Sequence, residues 1–306
     1  LNAPVEAVYR EANLQGTQIL LRSTMSYNAA FKASNSKKAF VKATSLIVQN
    51  MVNSITKRLE IGMFYGQSET GIGKPQAVEG SSAGSSRAYT FSSTAGQWAA
   101  GIWAGTEEMP VDVVRISSGT VISNGGTIKA VDLQNRQLTV EASAGFHTAV
   151  AALITGSSGV AFKFKGANGK EFAGLDKIIT NQSTLFGINA TTYNLWKGNV
   201  STITTALSLA KILDAVALAV ERGLDEDVTA MVNPKVWADL SADEAALRMY
   251  DSSYKSSEAQ RGQEKLTFFG QNGKIDIVPS IFVKEGEAFI VPPRRLKRIG
   301  ATDVTF

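Results

Sequence analysis

Residues 37–65 read KKAFVKATSLIVQNMVNSITKRLEIGMFY, a run with no proline and no glycine before Gly62. Apolar residues recur in it every three or four positions, the period of an amphipathic helix. Val48, Met51, Val52, Ile55, Leu59 and Met63 form one stripe, expected to be the buried face, while Gln49, Asn50, Asn53, Thr56, Lys57, Arg58 and Glu60 fall largely on the other side. At 1.5 Å per residue such a helix spans about 40 Å, against an average helix of about 11–12 residues. It is longer than most single domains need.

The sequence ahead of this helix is equally unusual. From Ala12 to Leu59 there are seven basic residues (Arg22, Lys32, Lys37, Lys38, Lys42, Lys57, Arg58) and no acid, so the stretch repels itself. Residues 16–36 hold a short apolar run at 19–21 and then become polar and Asn/Ser-rich, the pattern of an extended arm or a two-stranded excursion. That is too little apolar surface for a core. Two readings stand: a flexible lead-in to an ordinary domain, or an arm lying on a neighbouring subunit.

Composition narrows the class. With 306 residues, 44% hydrophobic and 19% charged, the chain can bury a sizeable core in one to three domains. Twenty-seven glycines and seven prolines suit a turn-rich α and β protein. A net charge of +4 is too small to imply a nucleic-acid binder by itself. There is no cysteine, which removes disulfides and thiol chemistry and leaves the redox compartment open. The most apolar helical stretch, residues 206–220, carries Lys211 and Asp214 and is too short for a bilayer, so it reads as a core helix.

After the long helix, two Gly/Ser-rich stretches read as loops, and from there to about Lys177 short β-branched or aromatic runs alternate with turns. A compact β unit is expected over 111–166. Ser201 reads as the N-cap of a helix ending at Arg222-Gly223; a strand follows at 228–232, then a helix opened by Asn233-Pro234 and another over 241–250. Strands at 265–269, 275–278, 281–283 and 288–291 read as a meander.

No catalytic constellation emerges. His147 is the only histidine and reads as structural or solvent-facing. The sequence Gly71-Ile72-Gly73-Lys74-Pro75 fails as a phosphate loop, because Ser68 stands where the first glycine belongs and Pro75 where Ser/Thr belongs. The acidic groups Asp225-Glu226-Asp227 and Asp239, Asp243, Glu244 lack calcium-loop spacing and read as solvated faces, able to complement a basic arm of another copy. The basic run Arg294, Arg295, Lys297, Arg298 fits either an intersubunit contact, which is favoured, or weak contact with a polyanion.

Taken in order, the basic arm, the long helix ending in RLEIGMFYG (58–66), the Gly-rich β region, VTAMVNPKVWADL (228–240) and KIDIVPSIFVKEGEAFIVPP (274–293) resemble a tailed-bacteriophage major capsid protein over nearly the whole length. The resemblance implies an α+β fold: N-terminal arm (1–14), extended loop (15–36), peripheral domain (37–110) on a spine helix (37–65), an inserted small β domain (111–166), a return to the peripheral domain (167–198), an axial domain (199–292) and a C-terminal peripheral segment (293–306). It implies a non-enzymatic structural protein without cofactor or metal. Hexamers and pentamers of it would build an icosahedral shell around a double-stranded DNA genome, assembled in the host cytoplasm and residing in the virion. Its partners would be many copies of itself, portal and possible decoration proteins, and packaged DNA by nonspecific contact, with no membrane. Intersubunit contacts are expected at Arg22, Lys32, Lys37, Lys38, Arg294, Arg295, Lys297 and Arg298. Some relatives crosslink through a lysine of the extended loop; Lys32 is the one mid-loop lysine here, and no motif identifies its partner. The start at Leu1 instead of Met fits removal of a scaffolding segment and equally a shortened chain. Two rivals stand beside this reading: an encapsulin-like compartment shell, and a carbohydrate-binding module built around the β unit with Trp98 and Trp103.

Overall fold

The computed structural model describes residues 9–20, 37–80, 85–92, 97–122, 125–156, 158–242, 266–271, 273–297 and 299, with backbone alone for 37–44 and 266. The long helix forms as one piece, α1 (Lys37–Tyr65), of 29 residues. The expected inward stripe is corrected, however. Val48, Val52 and Met63 are 54%, 37% and 45% exposed, and Met51, Ile55 and Leu59 only half-buried. The face turned to the core carries Lys57, Ile61, Phe64 and Tyr65, spaced i, i+4, i+7, i+8, with Ile61 and Tyr65 almost fully enclosed. The aromatic pair Phe64-Tyr65 and the small Gly62 decide the docking side, because together they bury more area at closer approach than the aliphatic stripe.

A six-stranded antiparallel sheet receives that helix end. Its strands are β1 (Pro75–Glu79), β2 (Ser86–Phe91), β3 (Pro110–Arg115), β4 (Gly126–Asp132), β5 (Gln137–Glu141) and β6 (Val160–Phe164), in the order β1-β2-β5-β4-β3-β6. The sheet curls on itself. Phe162 of β6 accepts from the Ile72 N–H at 2.9 Å and donates to Gly73 O at 2.8 Å, just ahead of β1. Gly71 has φ +56°, and a Cβ there would lie 2.2 Å from Phe162 O, so the glycine is a condition of the closure. The GIGKP segment is thus a sheet fastener.

The 111–166 unit expected as an insertion is not separable: β3 to β6 share this sheet with β1 and β2, and its core is continuous with Ile61, Phe64 and Tyr65 of α1. Nor is it all β. Ahead of it the short α2 (Ala100–Trp103) stands where a strand was expected, and within it α3 (Ala144–Thr155) packs on β1 and β6, its N-cap Ser143 accepting from the Phe146 N–H. The strand β1 lies within a stretch read as loop.

After α4 (Leu175–Ile179) and a hairpin of β7 (Thr184–Leu185) and β8 (Ile188–Asn189), α5 (Leu209–Val220) begins after Ser208, not Ser201. Its Leu209, Ile212 and Val216 pack on a second sheet. That sheet contains β9 (Val228–Val232), β10 (Leu266–Phe269), β11 (Lys274–Pro279) and β12 (Ala288–Val291), ordered β10-β11-β9-β12. A meander was expected, but β9 inserts between β11 and β12 and runs parallel to β11. Residues 281–283 turn instead of extending. The helix α6 (Pro234–Ala242) follows β9 as Asn233-Pro234 anticipates, while the helix expected over 241–250 lies mostly outside the described residues. The whole is a mixed α+β protein, and no described helix is long and apolar enough to cross a membrane.

Candidate functional site

The three sequence pieces that carried the resemblance meet at one junction. Tyr65, the last residue of α1, donates its hydroxyl to Glu287 Oε2 at 2.9 Å and accepts the Lys284 backbone N–H at 2.9 Å. Phe289 of β12 packs tilted against Phe64 and edge-on to Tyr65, with ring centroids 5.6 and 5.9 Å away. From the third piece, Asn233 donates to Val283 O at 2.8 Å, and Lys235 Nζ lies 2.6 Å from Glu285 Oε1. Glu285 also holds Arg136, of the β4–β5 turn, at 3.0 Å, and its backbone N–H bonds Trp98 O. Residues 280–289 therefore bind the helix end, the curled sheet and α6 to one another.

At the centre Lys284 is fully buried. Its ammonium donates to Gly71 O at 2.9 Å and Thr70 Oγ1 at 3.2 Å, and sits 4.0 Å from the Tyr65 ring centroid. Burial pushes its pKa down, with Glu287 and Asp176 pulling it back up; burial likewise pushes Glu287 up, against the attraction of Lys284 and the Tyr65 hydrogen bond. Two hydrogen bonds and the face of the Tyr65 ring thus hold the ammonium. The arrangement is a clamp, not an exposed nucleophile.

Chain packing at the helix end is equally tight. Gly174 N–H bonds Gly66 O at 2.8 Å, and a Cβ on Gly66 would lie 2.2 Å from Phe172 O. Lys57 donates to Ala104 O at 2.6 Å, and Arg58 lies over the Phe164 ring at 4.7 Å, 3.9 Å from Glu171. Forward of Lys57 this anchorage stops: Leu46, Val48 and Val52 face solvent.

The residues expected to make intersubunit contacts are not brought together. Arg22, Lys32 and Arg298 lie outside the described residues, and Lys37 and Lys38 are described by their backbone in α1 only. Arg294, Arg295 and Lys297 are exposed. Arg295 is engaged within its own chain, 2.6 Å from Glu226 and 3.8 Å from Asp225, while Asp227 accepts the Lys274 N–H. The acidic group that sequence left for a neighbour's arm is thus partly occupied by the basic run. Of the arm, Asn13 N–H bonds Phe186 O at 2.8 Å and Arg10 lies over the Tyr193 ring. Residues 15–20 form no strand, and the remainder of the expected extended loop lies outside the described residues.

His147 is structural: fully buried, with Nδ1 2.7 Å from the Tyr89 hydroxyl and Nε2 3.1 Å from Ser85 O. The carbonyl requires an N–H on Nε2, so Nδ1 accepts from Tyr89. Trp98 and Trp103 stack in the core with centroids 6.1 Å apart and present no face to a glycan. Sequence reasoning missed Tyr65, Lys284 and Glu287. The one available signal was their place inside the two most specific motif pieces, since a lysine in an apolar run gives no sign of burial. Among the described residues, no group of three or more His, Asp or Glu is placed to hold a metal ion. No family model, curated protein or solved structure matches this chain.

Proposed function

We propose that this chain is the shell-forming subunit of a tailed-phage capsid: a structural, non-catalytic protein that assembles as hexamers and pentamers around double-stranded DNA. The observation that carries the reading is the helix α1, whose most apolar stripe points away from its own core. Val48, Val52 and Met63 are exposed along it, with Met51, Ile55 and Leu59 half-buried between them. Contiguous apolar surface of this kind marks a surface made to be covered. In a closed shell, further copies of the chain cover it, and many copies of a modest contact hold the particle. The exposed Arg294 and Lys297, with Lys37 and Lys38, supply positive charge for subunit contacts or for packaged DNA; portal and decoration proteins complete the list of partners, and the virion is the location.

The test is negative-stain electron microscopy with light scattering on the chain expressed alone and with its upstream gene. Hexamers, pentamers or hollow shells support the reading, and DNA or a cargo protein inside separates virus from encapsulin-like compartment. A monomer under every condition overturns it. Deleting residues 16–36 should leave a folded subunit that builds no closed particle; normal particles from that variant would remove the arm from the assembly scheme.

A further inference from the structure

Helix α5 is apolar on nearly every side: between Leu209 and Val220 only Lys211 and Asp214 are charged, and the rest is Leu, Ile, Val and Ala. A helix of that composition is ordinarily enclosed all round. Here one face is. Leu209, Ile212 and Val216 are buried against the second sheet, whereas the opposite face carries Ala210, Leu213, Asp214, Leu218 and Glu221, all exposed, with Leu213 and Leu218 at 36% and 43%. The spacing i, i+3, i+4, i+8, i+11 makes these residues a single stripe, apolar with two acids along it. Neither acid has an ion pair among the described residues. The cations at the border are tied to their own chain, Lys211 to Thr205 and Ala206, and Arg222 to Lys197 O at 3.1 Å.

A second surface has the complementary make-up. Just after β12 the chain presents Arg294, Leu296, Lys297 and Ile299, all exposed, with Leu296 and Ile299 at 48% and 72%. Neither Arg294 nor Lys297 has an ion pair among the described residues. Run in opposite directions, the two surfaces match in order: apolar Ile299, basic Lys297, apolar Leu296, basic Arg294 against apolar Leu213, acidic Asp214, apolar Leu218, acidic Glu221. The lengths agree as well. Asp214 and Glu221 are about 10 Å apart along the helix, and three residues of chain put Arg294 and Lys297 at most about 10 Å apart. Within one chain Arg295 is held at Glu226 and Asp225, just beyond α5, yet Leu296, Ile299, Leu213 and Leu218 all stay exposed, so a chain does not cover its own stripe.

We infer that residues 294–299 of one copy seat on the outer face of α5 of a second copy, Arg294 facing Glu221, Leu296 on Leu218, Lys297 facing Asp214 and Ile299 on Leu213. The apolar pairs leave water and the charges fix direction and register. Because the two surfaces differ, the contact is head-to-tail, and a head-to-tail contact repeated around an axis closes a ring. The inference rests on the shell-forming reading and deepens it, naming one contact that would join neighbours within a hexamer or pentamer.

The chain has no cysteine, so introduced thiols are the only ones present. Full-length Leu218→Cys and Leu296→Cys chains are mixed and oxidised. A covalent two-chain species is expected on a non-reducing gel, in excess over that from either variant alone, and the double-cysteine chain should give a ladder of linked chains. In parallel, Asp214→Lys with Glu221→Lys should slow particle growth by light scattering about tenfold or more while the subunit melts like the parent. Adding Arg294→Glu with Lys297→Glu to the same chain should restore growth. No mixed species, a double-cysteine chain that closes only on itself, or parent-like growth of the Asp214→Lys, Glu221→Lys chain would overturn the contact and leave the shell reading standing. A parent that forms no particles strikes at the shell reading instead, and the mixed crosslink then decides the contact alone.

Discussion

The two ends of α1 belong to one unbroken helix and have opposite surroundings. Over residues 57–65 the helix is locked by Lys57, Ile61, Phe64 and Tyr65 against the curled sheet and the 280–289 segment. Over residues 45–56 it leaves Leu46, Val48 and Val52 in solvent. Hydrophobic periodicity reports which side of a helix is apolar, not what covers it. Where the protein's own core covers the helix, aromatic residues and glycines do the packing; where aliphatic residues recur most regularly, the stripe stays half-buried to exposed. A helix read by periodicity alone is therefore assigned the wrong inward face when its regular stripe is not the one its own core encloses.

The largest effects should separate the two ends. Ile61→Asp buries an unpaired carboxylate in the shared core and should cost roughly several kcal/mol, leaving no cooperatively folded subunit by circular dichroism and thermal melting. Val52→Asp places the same charge where solvent already reaches. The subunit should melt within about 1 kcal/mol of the parent, while particle formation by light scattering is lost. If Val52→Asp unfolds the chain as Ile61→Asp does, the two ends do not differ and the exposed stripe is part of the fold.

The clamp at the anchored end sharpens the comparison. Lys284→Met removes the buried ammonium and leaves Gly71 O and Glu287 without it, an expected loss of about 3 kcal/mol in denaturant melts. The pH dependence has a definite sign. Because burial holds Lys284 below 10.5 in the folded protein, the unfolded chain takes up its proton first as pH falls, so stability drops with falling pH across that window and recovers as pH rises. Tyr65, held above 10.0 by burial and then by Glu287, acts the opposite way beyond that pH. The parent should therefore gain stability on Lys284 as pH rises toward the 10.5 of an unburied lysine, and Lys284→Met should lack that gain. Identical curves would place Lys284 in contact with water.

Somewhat smaller is the effect expected of Gly66→Ala. The added methyl meets Phe172 O and the Gly62 carbonyl, both backbone, so the chain crossing at 172–174 must move. A loss of about 1–3 kcal/mol is expected. Gly80→Ala would not serve as a control, because its φ of +98° adds strain of its own, whereas Gly145→Ala, with open space around it, should be neutral or better in the same melts.

Legibility in the sequence follows the range of the forces involved. Turn chemistry and β-branched runs located β2 to β6, β9, β11 and β12, because alternation and glycine act within a few residues. The helix α3 was missed: AGFHTAVAALIT is apolar on most sides, and Gly145 weakened the helical pattern, while the cap that starts it, Ser143, resembles any turn serine. The β9–β11 parallel pairing was hidden because its partners lie more than forty residues apart along the chain, joined only by tertiary packing. The clamp was harder still. Tyr65 and Glu287 are separated by 222 positions, and nothing local in either sequence announces the other. What the eye caught was that RLEIGMFYG, NPKVWADL and SIFVKEGEAF are unusual; the structure adds that they touch.

The smallest effect concerns the basic run at residues 294–297. Arg295 sits against Glu226 and Asp225 but remains largely exposed, so its ion pair is screened by water and salt. Arg295→Ala should leave the melting of the subunit unchanged within error. Its use as evidence lies elsewhere. If the run serves assembly, Arg294→Ala with Lys297→Ala, neither of which is held by an ion pair among the described residues, should slow or stop particle growth while Arg295→Ala does so less, because Arg295 is partly neutralised by its own chain. Equal effects from all three, measured as the rate of light-scattering increase at two salt concentrations, would mean that Arg295 leaves Glu226 to meet its neighbour, and that the acidic group at 225–227 is exchanged between partners during assembly.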